Sequence, residues 1–309
     1  LAAAYVAIVD VRRLFPFISS ARGSARPSWR WNVGQLSRAF PFAVAASTEI
    51  GLQNLPLLLV SALVTNRVVV AQWGLTRVVA GLVRLLCLQI SLPLAAELGH
   101  DRAIGASEPL RRLYARGSVL VTLLASGVVS GLLAFWQDFF ALWTRGAIPY
   151  DLLLTFTLLI GAEIVAPAAL ALSYSYYSDR GELLARTKGL QLVAFVVLAL
   201  LLTPWMGLLG MALAVVASDL AVQFGILASV VIWGTLERPA RHVMFLIMLM
   251  AVMTAFGWGL GVAIRLALPL SGLARFAAEC ALWLAVMALV GSPLMNARLR
   301  RRLAERIPG

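Results

Sequence analysis

Eight stretches of this sequence are each apolar enough, and most are long enough, to cross a lipid bilayer as a helix. They cover residues 40–63, 73–95, 117–136, 150–172, 187–203, 207–232, 243–264 and 274–295. A transmembrane helix needs about 20 predominantly apolar residues. The chain is 61% hydrophobic over 309 residues, which leaves no room for a soluble domain of ordinary size. The sequence therefore predicts an all-α, polytopic transmembrane helical bundle.

The basic residues indicate how this bundle is oriented. Of the 26 Lys and Arg residues, twenty lie in alternate connections between the predicted spans or in the C-terminal tail. Cytoplasmic loops of membrane proteins carry an excess of Lys and Arg, so these connections and the C-terminus are predicted to be cytoplasmic. The net charge of +12 then reflects attraction to anionic membrane lipids rather than to nucleic acid. The basic segments are 12–38, 102–116, 180–188, 238–241 and 298–306.

The spans and basic segments divide the chain into five regions. The sequence opens at Leu1 inside an apolar run that ends near Asp10, so we interpret its start as the tail of a truncated transmembrane helix. An N-terminally incomplete chain is therefore expected. The regions are the truncated helix at 1–11, a basic cytoplasmic linker at 12–39, a six-helix transmembrane lobe at 40–233, two additional transmembrane helices at 243–295 and a basic cytoplasmic tail at 296–309.

The connections offer little space for a separate catalytic domain. Residues 100–116 are predicted to form a short helix on the cytoplasmic membrane face, with Ser107 as its N-cap. The longest outer connection is predicted at 137–150. Small residues that include Gly207 and Gly210 are expected to let two helices approach closely. Function is therefore expected between the helices.

Cysteine and histidine do not form a metal-binding pattern. Cys87 and Cys280 both fall inside predicted spans, and His100 and His242 fall in two different cytoplasmic loops. Neither a disulfide framework nor a metal site is indicated by this spacing. No cofactor is predicted.

Two arginines in one span are the first candidates for substrate binding. Arg84 lies near the centre of span 73–95, and Arg77 lies two helical turns away on the same face. A charged side chain at a helix centre costs about 2.5–3.5 kcal/mol on insertion scales, and the guanidinium group suits phosphate oxygens. The alternative for Arg84 is pairing with a carboxylate for packing. The alternative for Arg77 is extension towards the membrane surface.

Polar residues also mark the helix at 40–63. Glu49 and Gln53 share one face, Asn54 follows, and Pro56 is expected to kink the helix. This pattern favours a helix that lines a cavity, although interhelical hydrogen bonding would use the same residues.

Intramembrane carboxylates raise the separate question of ion coupling. Glu49, Glu163 and Asp219 are the candidate coupling residues, and Asp219 shares a helix face with Gln223 in the same way as Glu49 does with Gln53. A lone carboxylate in a membrane can instead be neutral or paired. Both interpretations remain open at this point.

Three segments resemble the MOP exporter superfamily, which includes multidrug, oligosaccharidyl-lipid and polysaccharide exporters. The run GLVRLLCLQISLPLAAELGHDRA…LRRLYARG at 81–117 is similar to a helix that ends at Leu-Pro before a charged cytoplasmic segment. The turn TPWMGLLGMALAVVASDLA at 203–221 resembles a Pro-x-x-Gly-x-x-Gly hairpin of polysaccharide flippases, and FFALWTRG at 139–146 resembles an outer loop found there.

The resemblance implies a two-lobe transporter of which this chain holds the second lobe and two C-terminal helices. It implies a non-enzymatic flippase of the bacterial inner membrane that moves lipid-linked polysaccharide or O-antigen repeat units, carried on a polyprenyl diphosphate, by alternating access. Polysaccharide polymerase machinery is the implied protein partner. Because the first lobe is absent, the chain as given is not expected to transport alone.

Two other functions remain open. A multidrug or cation antiporter of the same fold would need an acidic cavity, whereas Arg84 and Arg77 favour an anionic substrate. A membrane enzyme acting on glycolipids would need a catalytic His, or acidic residues on a sizeable loop, and the predicted outer loops are short.

Overall fold

The computed structural model describes residues 29–268 and 272–295, and in these ranges every regular element is a helix. The first seven helices are long and apolar enough to cross a membrane. This confirms the predicted all-α polytopic bundle. Predicted regions 1–11 and 296–309, and most of the linker, lie outside the described residues. The helices are α1 Trp29–Leu63, α2 Arg67–Ala103, α3 Ser107–Thr144, α4 Leu152–Tyr177, α5 Gly181–Met206, α6 Leu208–Thr235, α7 Pro239–Ala267 and α8 Gly272–Met295.

The chain divides into two compact units between Pro41 and Phe42. The described part of the first unit is residues 29–41, a solvent-exposed helical stretch. The linker was predicted to extend to residue 39, and its last eleven residues, 29–39, are helical. All of the packing and chemistry below belongs to the second unit.

Helix α4 is the centre of the second unit and packs against α2, α3 and α6. Leu158 and Leu159 of α4 belong to the same buried cluster as Val83 of α2 and Val129 of α3. Helix α7 packs along α3, and α8 packs against both of them. The indole of Trp283 in α8 donates a hydrogen bond of 2.8 Å to the Gly257 carbonyl of α7.

Large apolar side chains also cover the outside of the second unit. Val193 and Leu201 of α5 and Val252 of α7 are each exposed. Extended apolar surface of this kind is unfavourable in water but matches the hydrocarbon of a bilayer. The distribution of apolar residues therefore agrees with the membrane-spanning lengths of the helices.

The helices are longer than the apolar stretches that predicted them. Helix α2 continues to Ala103 and α3 begins at Ser107, so the predicted surface helix at 100–116 is wrong, and Ala106 rather than Ser107 is the N-cap residue. Helix α3 also continues to Thr144, which reduces the outer connection predicted at 137–150 to residues 145–151. Both helices extend past their apolar stretches into polar terminal turns, because charged side chains that remain solvated do not disfavour a helical backbone.

A single glycine turn joins α5 to α6. Gly207 has φ 59° and ψ −133°, a backbone conformation that L side chains rarely adopt. A Cβ on Gly210 would lie 2.3 Å from the Leu202 carbonyl oxygen, so this position requires glycine. The expected close approach is confirmed at Gly210, whereas Gly207 is a turn residue instead of a packing residue.

Candidate functional site

Four helices contribute charged side chains to one cluster inside the bundle. We call Glu49, Arg84, Lys188 and Asp219 the central cluster. Arg84 Nη2 lies 2.7 Å from Glu49 Oε1, and Arg84 Nη1 lies 3.8 Å from Asp219 Oδ2. Lys188 Nζ lies 2.5 Å from Glu49 Oε2. A continuous chain of ion pairs therefore joins α1, α2, α5 and α6.

Lys188 is the most deeply buried member of the central cluster, with 1% of its side chain exposed. The sequence had counted it among the basic residues of segment 180–188, without predicting its burial. Removing a charge from water costs several kcal/mol unless a partner compensates it. Glu49 supplies that compensation, since its carboxylate lies between the ammonium group of Lys188 and the guanidinium group of Arg84.

Side-chain amides complete the hydrogen bonding of the two carboxylates. Gln53 donates to Glu49 Oε1 at 3.3 Å, and Gln223 donates to Asp219 Oδ1 at 3.1 Å. Gln191 also donates to Asp219 Oδ1 and accepts a 3.4 Å hydrogen bond from Lys188. Both carboxylates are therefore held by cations and by amide donors.

The backbone of α6 changes its winding at the central cluster. Asp219 begins a π-helical segment, Asp219–Ala228, in the middle of the helix. The backbone N–H of Ser229 bonds to the Phe224 carbonyl, which is the five-residue spacing of a π-helix. Such segments occur frequently at functional sites. Here the segment carries both Asp219 and its amide partner Gln223.

Arg77 lies on the same helix as Arg84 but has no carboxylate within ion-pair distance among the described residues. Its Nη2 donates to the Leu52 carbonyl at 3.1 Å, and its guanidinium lies 6.0 Å from the Trp73 ring centroid. Its Nη1 is buried and has no hydrogen-bond partner among the described residues. The side chain is therefore held in place by α1 and Trp73.

A cavity of about 470 Å³ lies beside these arginines. Most of its wall is apolar, from α1, α2, α4 and α6. Its polar lining consists of Gln53, Asn54, Arg77, Arg84, Asp219 and Gln223. The predicted substrate residues Arg84, Arg77, Gln53 and Asn54 therefore share one cavity wall, and Glu49 lies behind Arg84 in the central cluster.

The formal charge around the cavity is positive. Arg77, Arg84 and Lys188 are cations, and Glu49 and Asp219 are the carboxylates that pair with them. Three cations and two carboxylates leave one excess positive charge, and Arg77 is the cation with no carboxylate within ion-pair distance among the described residues. A low-dielectric wall strengthens the interaction of such a charge with an anion.

Glu163 is not part of the central cluster. It lies on the opposite face of α4, is 3% exposed, and accepts a 2.5 Å hydrogen bond from the Thr254 hydroxyl of α7. The sequence grouped it with Glu49 and Asp219 as a coupling candidate, but the structure gives it separate surroundings. Asn54, by contrast, lines the cavity, and its side-chain amide donates one hydrogen bond of 2.8 Å to the Ile50 carbonyl.

Sequence reasoning missed Lys188, Gln191 and His242 as members of buried polar contacts. Lys188 and Gln191 lie three residues apart, so they share one face of α5; that spacing was the available signal. His242 was assigned to a loop, but it lies in α7, is fully buried, and has Nε2 2.8 Å from Ser118 Oγ.

No protein-family model, no curated protein and no solved structure matches this chain. The resemblance to the MOP exporters therefore depends on the sequence segments described above.

Proposed function

We propose that this chain belongs to a transporter that flips lipid-linked oligosaccharide or polysaccharide repeat units across the bacterial inner membrane by alternating access. The observation that carries the proposal is Arg77: its side chain lines the cavity, and no carboxylate lies within ion-pair distance of it among the described residues. A guanidinium group donates to phosphate oxygens in a fixed fork. The ligand is thus proposed to be the diphosphate of a polyprenyl-linked glycan.

The central cluster would support this ligand rather than bind it alone. Arg84 lines the cavity but already pairs with Glu49 and Asp219. It therefore adds positive potential and keeps a donor surface towards the cavity, while Lys188 and Glu49 fix its position. The mainly apolar wall would accept the first isoprene units of the lipid, and the remaining tail would stay in the bilayer.

A multidrug antiporter of the same fold is the competing function, and the mainly apolar cavity wall would suit a drug. Its cationic substrates need a carboxylate that is free to meet them. Both carboxylates beside the cavity already contact cations, at 2.7 Å for Glu49 and 3.8 Å for Asp219. The charge of the cavity therefore favours the anionic ligand.

Deletion of the complete gene in its host tests the proposal. Surface polysaccharide and the lipid-linked precursor are measured in the same cells. The proposal expects loss of surface polymer with intact repeat units retained at the cytoplasmic face. Normal polymer together with increased sensitivity to cationic drugs would support the antiporter instead.

A further inference from the structure

A second polar site lies between α3, α4 and α7, away from the cavity. Its centre is Glu163, near the middle of α4, which is 3% exposed. The Thr254 hydroxyl of α7 donates to its Oε1 at 2.5 Å. Ser126 of α3 is fully buried, its hydroxyl lies beside the carboxyl group, and it has no other hydrogen-bond partner among the described residues.

No counter-charge accompanies Glu163 among the described residues. The charged and titratable groups in the interior of the neighbouring helices are engaged elsewhere or face another part of the bundle, and Arg116 and Arg241, near the helix ends, are exposed. Asp138 of α3 pairs with Arg265 of α7, and His242 contacts Ser118. Tyr114 and Tyr174 lie together with Arg102 and Arg180. The groups on the cavity side are Arg77, Cys87, Arg84, Lys188, Glu49 and Asp219.

A buried carboxylate without a cation is unfavourable, whereas the protonated carboxyl group fits these surroundings. Thr254 supplies a donor to one oxygen. The Ser126 hydroxyl can accept a hydrogen bond from a proton on the other oxygen. The protonated carboxyl group then has a partner at each oxygen and needs no counter-charge.

A row of hydroxyls leads from Glu163 towards one end of α7. Ser118, Thr122 and Ser126 recur at every fourth position of α3 and are all buried, so they share one helix face. Ser118 contacts His242 near the start of α7, which is the end predicted to be cytoplasmic. Successive hydroxyls are about 6 Å apart along the helix, a spacing that water molecules can bridge when α7 moves away from α3.

We propose that Glu163 is a proton-binding site, separate from the substrate cavity, which exchanges its proton with water along this face of α3. Binding forms an O–H bond between a carboxylate oxygen and a proton taken from hydronium, and release returns the proton to water. Thr254 connects this event to α7, because an ionised Glu163 favours a hydrated arrangement in which α7 has moved. Its use for coupling rests on the transport function proposed above.

Infrared spectroscopy of the full chain in lipid nanodiscs tests the site directly. A protonated carboxyl group has its own carbonyl stretch, and an ordinary Glu is ionised at neutral pH. The wild-type protein is expected to show this band at neutral pH and to shift it in D2O. Glu163→Gln should remove the band, and Glu163→Asp should restore a carboxyl band if the glutamine variant folds poorly. Glu237→Gln, which changes an exposed carboxylate, should leave it intact.

Absence of the band in the wild type, its persistence in Glu163→Gln, or its failure to shift in D2O would overturn the assignment. Coupling is tested separately in proteoliposomes containing polyprenyl diphosphate. Glu163→Gln is expected to bind this lipid but to lose the effect of a pH gradient on its movement, and an unchanged gradient effect would overturn the coupling role. A wild-type protein that neither binds nor moves the lipid would contradict the transport function, while the infrared band would still decide the proton site.

Discussion

The contact between Lys188 and Glu49 predicts a specific pattern of destabilisation. Removing one partner of a buried ion pair typically costs about 3–5 kcal/mol, because the other charge is left uncompensated. In Glu49→Gln, Lys188 stays buried, 1% exposed, and keeps its hydrogen bond to the neutral side chain of Gln191. A loss near the upper end of that range is therefore expected. Lys188→Met should cost less, since Arg84 remains 2.7 Å from Glu49.

The double variant Glu49→Gln, Lys188→Met should lose less free energy of unfolding than the sum of the two single losses. With both charges gone, neither leaves a buried partner unpaired, and Arg84 still has Asp219 at 3.8 Å. A coupling energy of about 2 kcal/mol is expected, within the usual range for residues in direct contact. Equilibrium unfolding of the purified protein in mixed micelles containing SDS measures all four free energies of unfolding.

A matched control is available on the same helix. Glu182 and Arg186 of α5 form an ion pair whose side chains are 78% and 81% exposed. Their double-mutant cycle should give a coupling energy of about 0.3–0.5 kcal/mol. Additive losses at Glu49 and Lys188, or a coupling energy no larger than that of the exposed pair, would refute the reasoning about the central cluster.

Two further predictions concern the α5–α6 hairpin and the orientation of the chain. Gly210→Ala should destabilise the protein by about 1–3 kcal/mol, because its Cβ would clash with the Leu202 carbonyl. Gly189→Ala has open space around its Cβ and should stabilise the helix by about 0.5–1 kcal/mol. The same unfolding assay compares the two variants. The basic loops predict a cytoplasmic C-terminus, so a fluorescent-protein fusion there should fluoresce and an alkaline phosphatase fusion there should be inactive. Active phosphatase would contradict that topology.

The helical bundle could be predicted from the sequence because a membrane imposes a simple rule. Each span must satisfy its own backbone hydrogen bonds and present apolar side chains to lipid, so apolar length indicates a helix directly. The helix ends could not be read in this way. Helix α3 begins at Ser107 and ends at Thr144 because its polar terminal turns remain helical outside the apolar core.

The candidate site could be predicted only in part. Arg84, Glu49 and Asp219 were identifiable because charges at span centres are unfavourable and need a reason. Lys188 lies near the start of α5, where a basic residue is ordinarily solvated, and the three-residue spacing to Gln191 was a weak signal against that. Its contact with Glu49 joins residues far apart in the chain and depends on how α5 packs.

The separation of Glu163 from the other carboxylates could not be predicted from the sequence either. Glu163 and Leu158 lie on the same helix, but Leu158 lines the cavity and Glu163 contacts α7. Helix α4 is buried on nearly all sides, so the apolar pattern of its sequence does not distinguish its faces. Only the packing of α7 against α3 and α4 defines this second site.

Binding of a lipid diphosphate in nanodiscs tests the central claim most directly. The wild-type protein should bind polyprenyl diphosphate more tightly than the uncharged polyprenol. Arg77→Ala should weaken that binding roughly 10- to 100-fold, since a hydrogen bond to a charged group contributes about 1.5–3 kcal/mol. Arg67→Ala, which changes an exposed arginine of the same helix, should leave the affinity unchanged. Equal affinity for the diphosphate and the alcohol, or equal losses in the two variants, would contradict an anion-binding cavity.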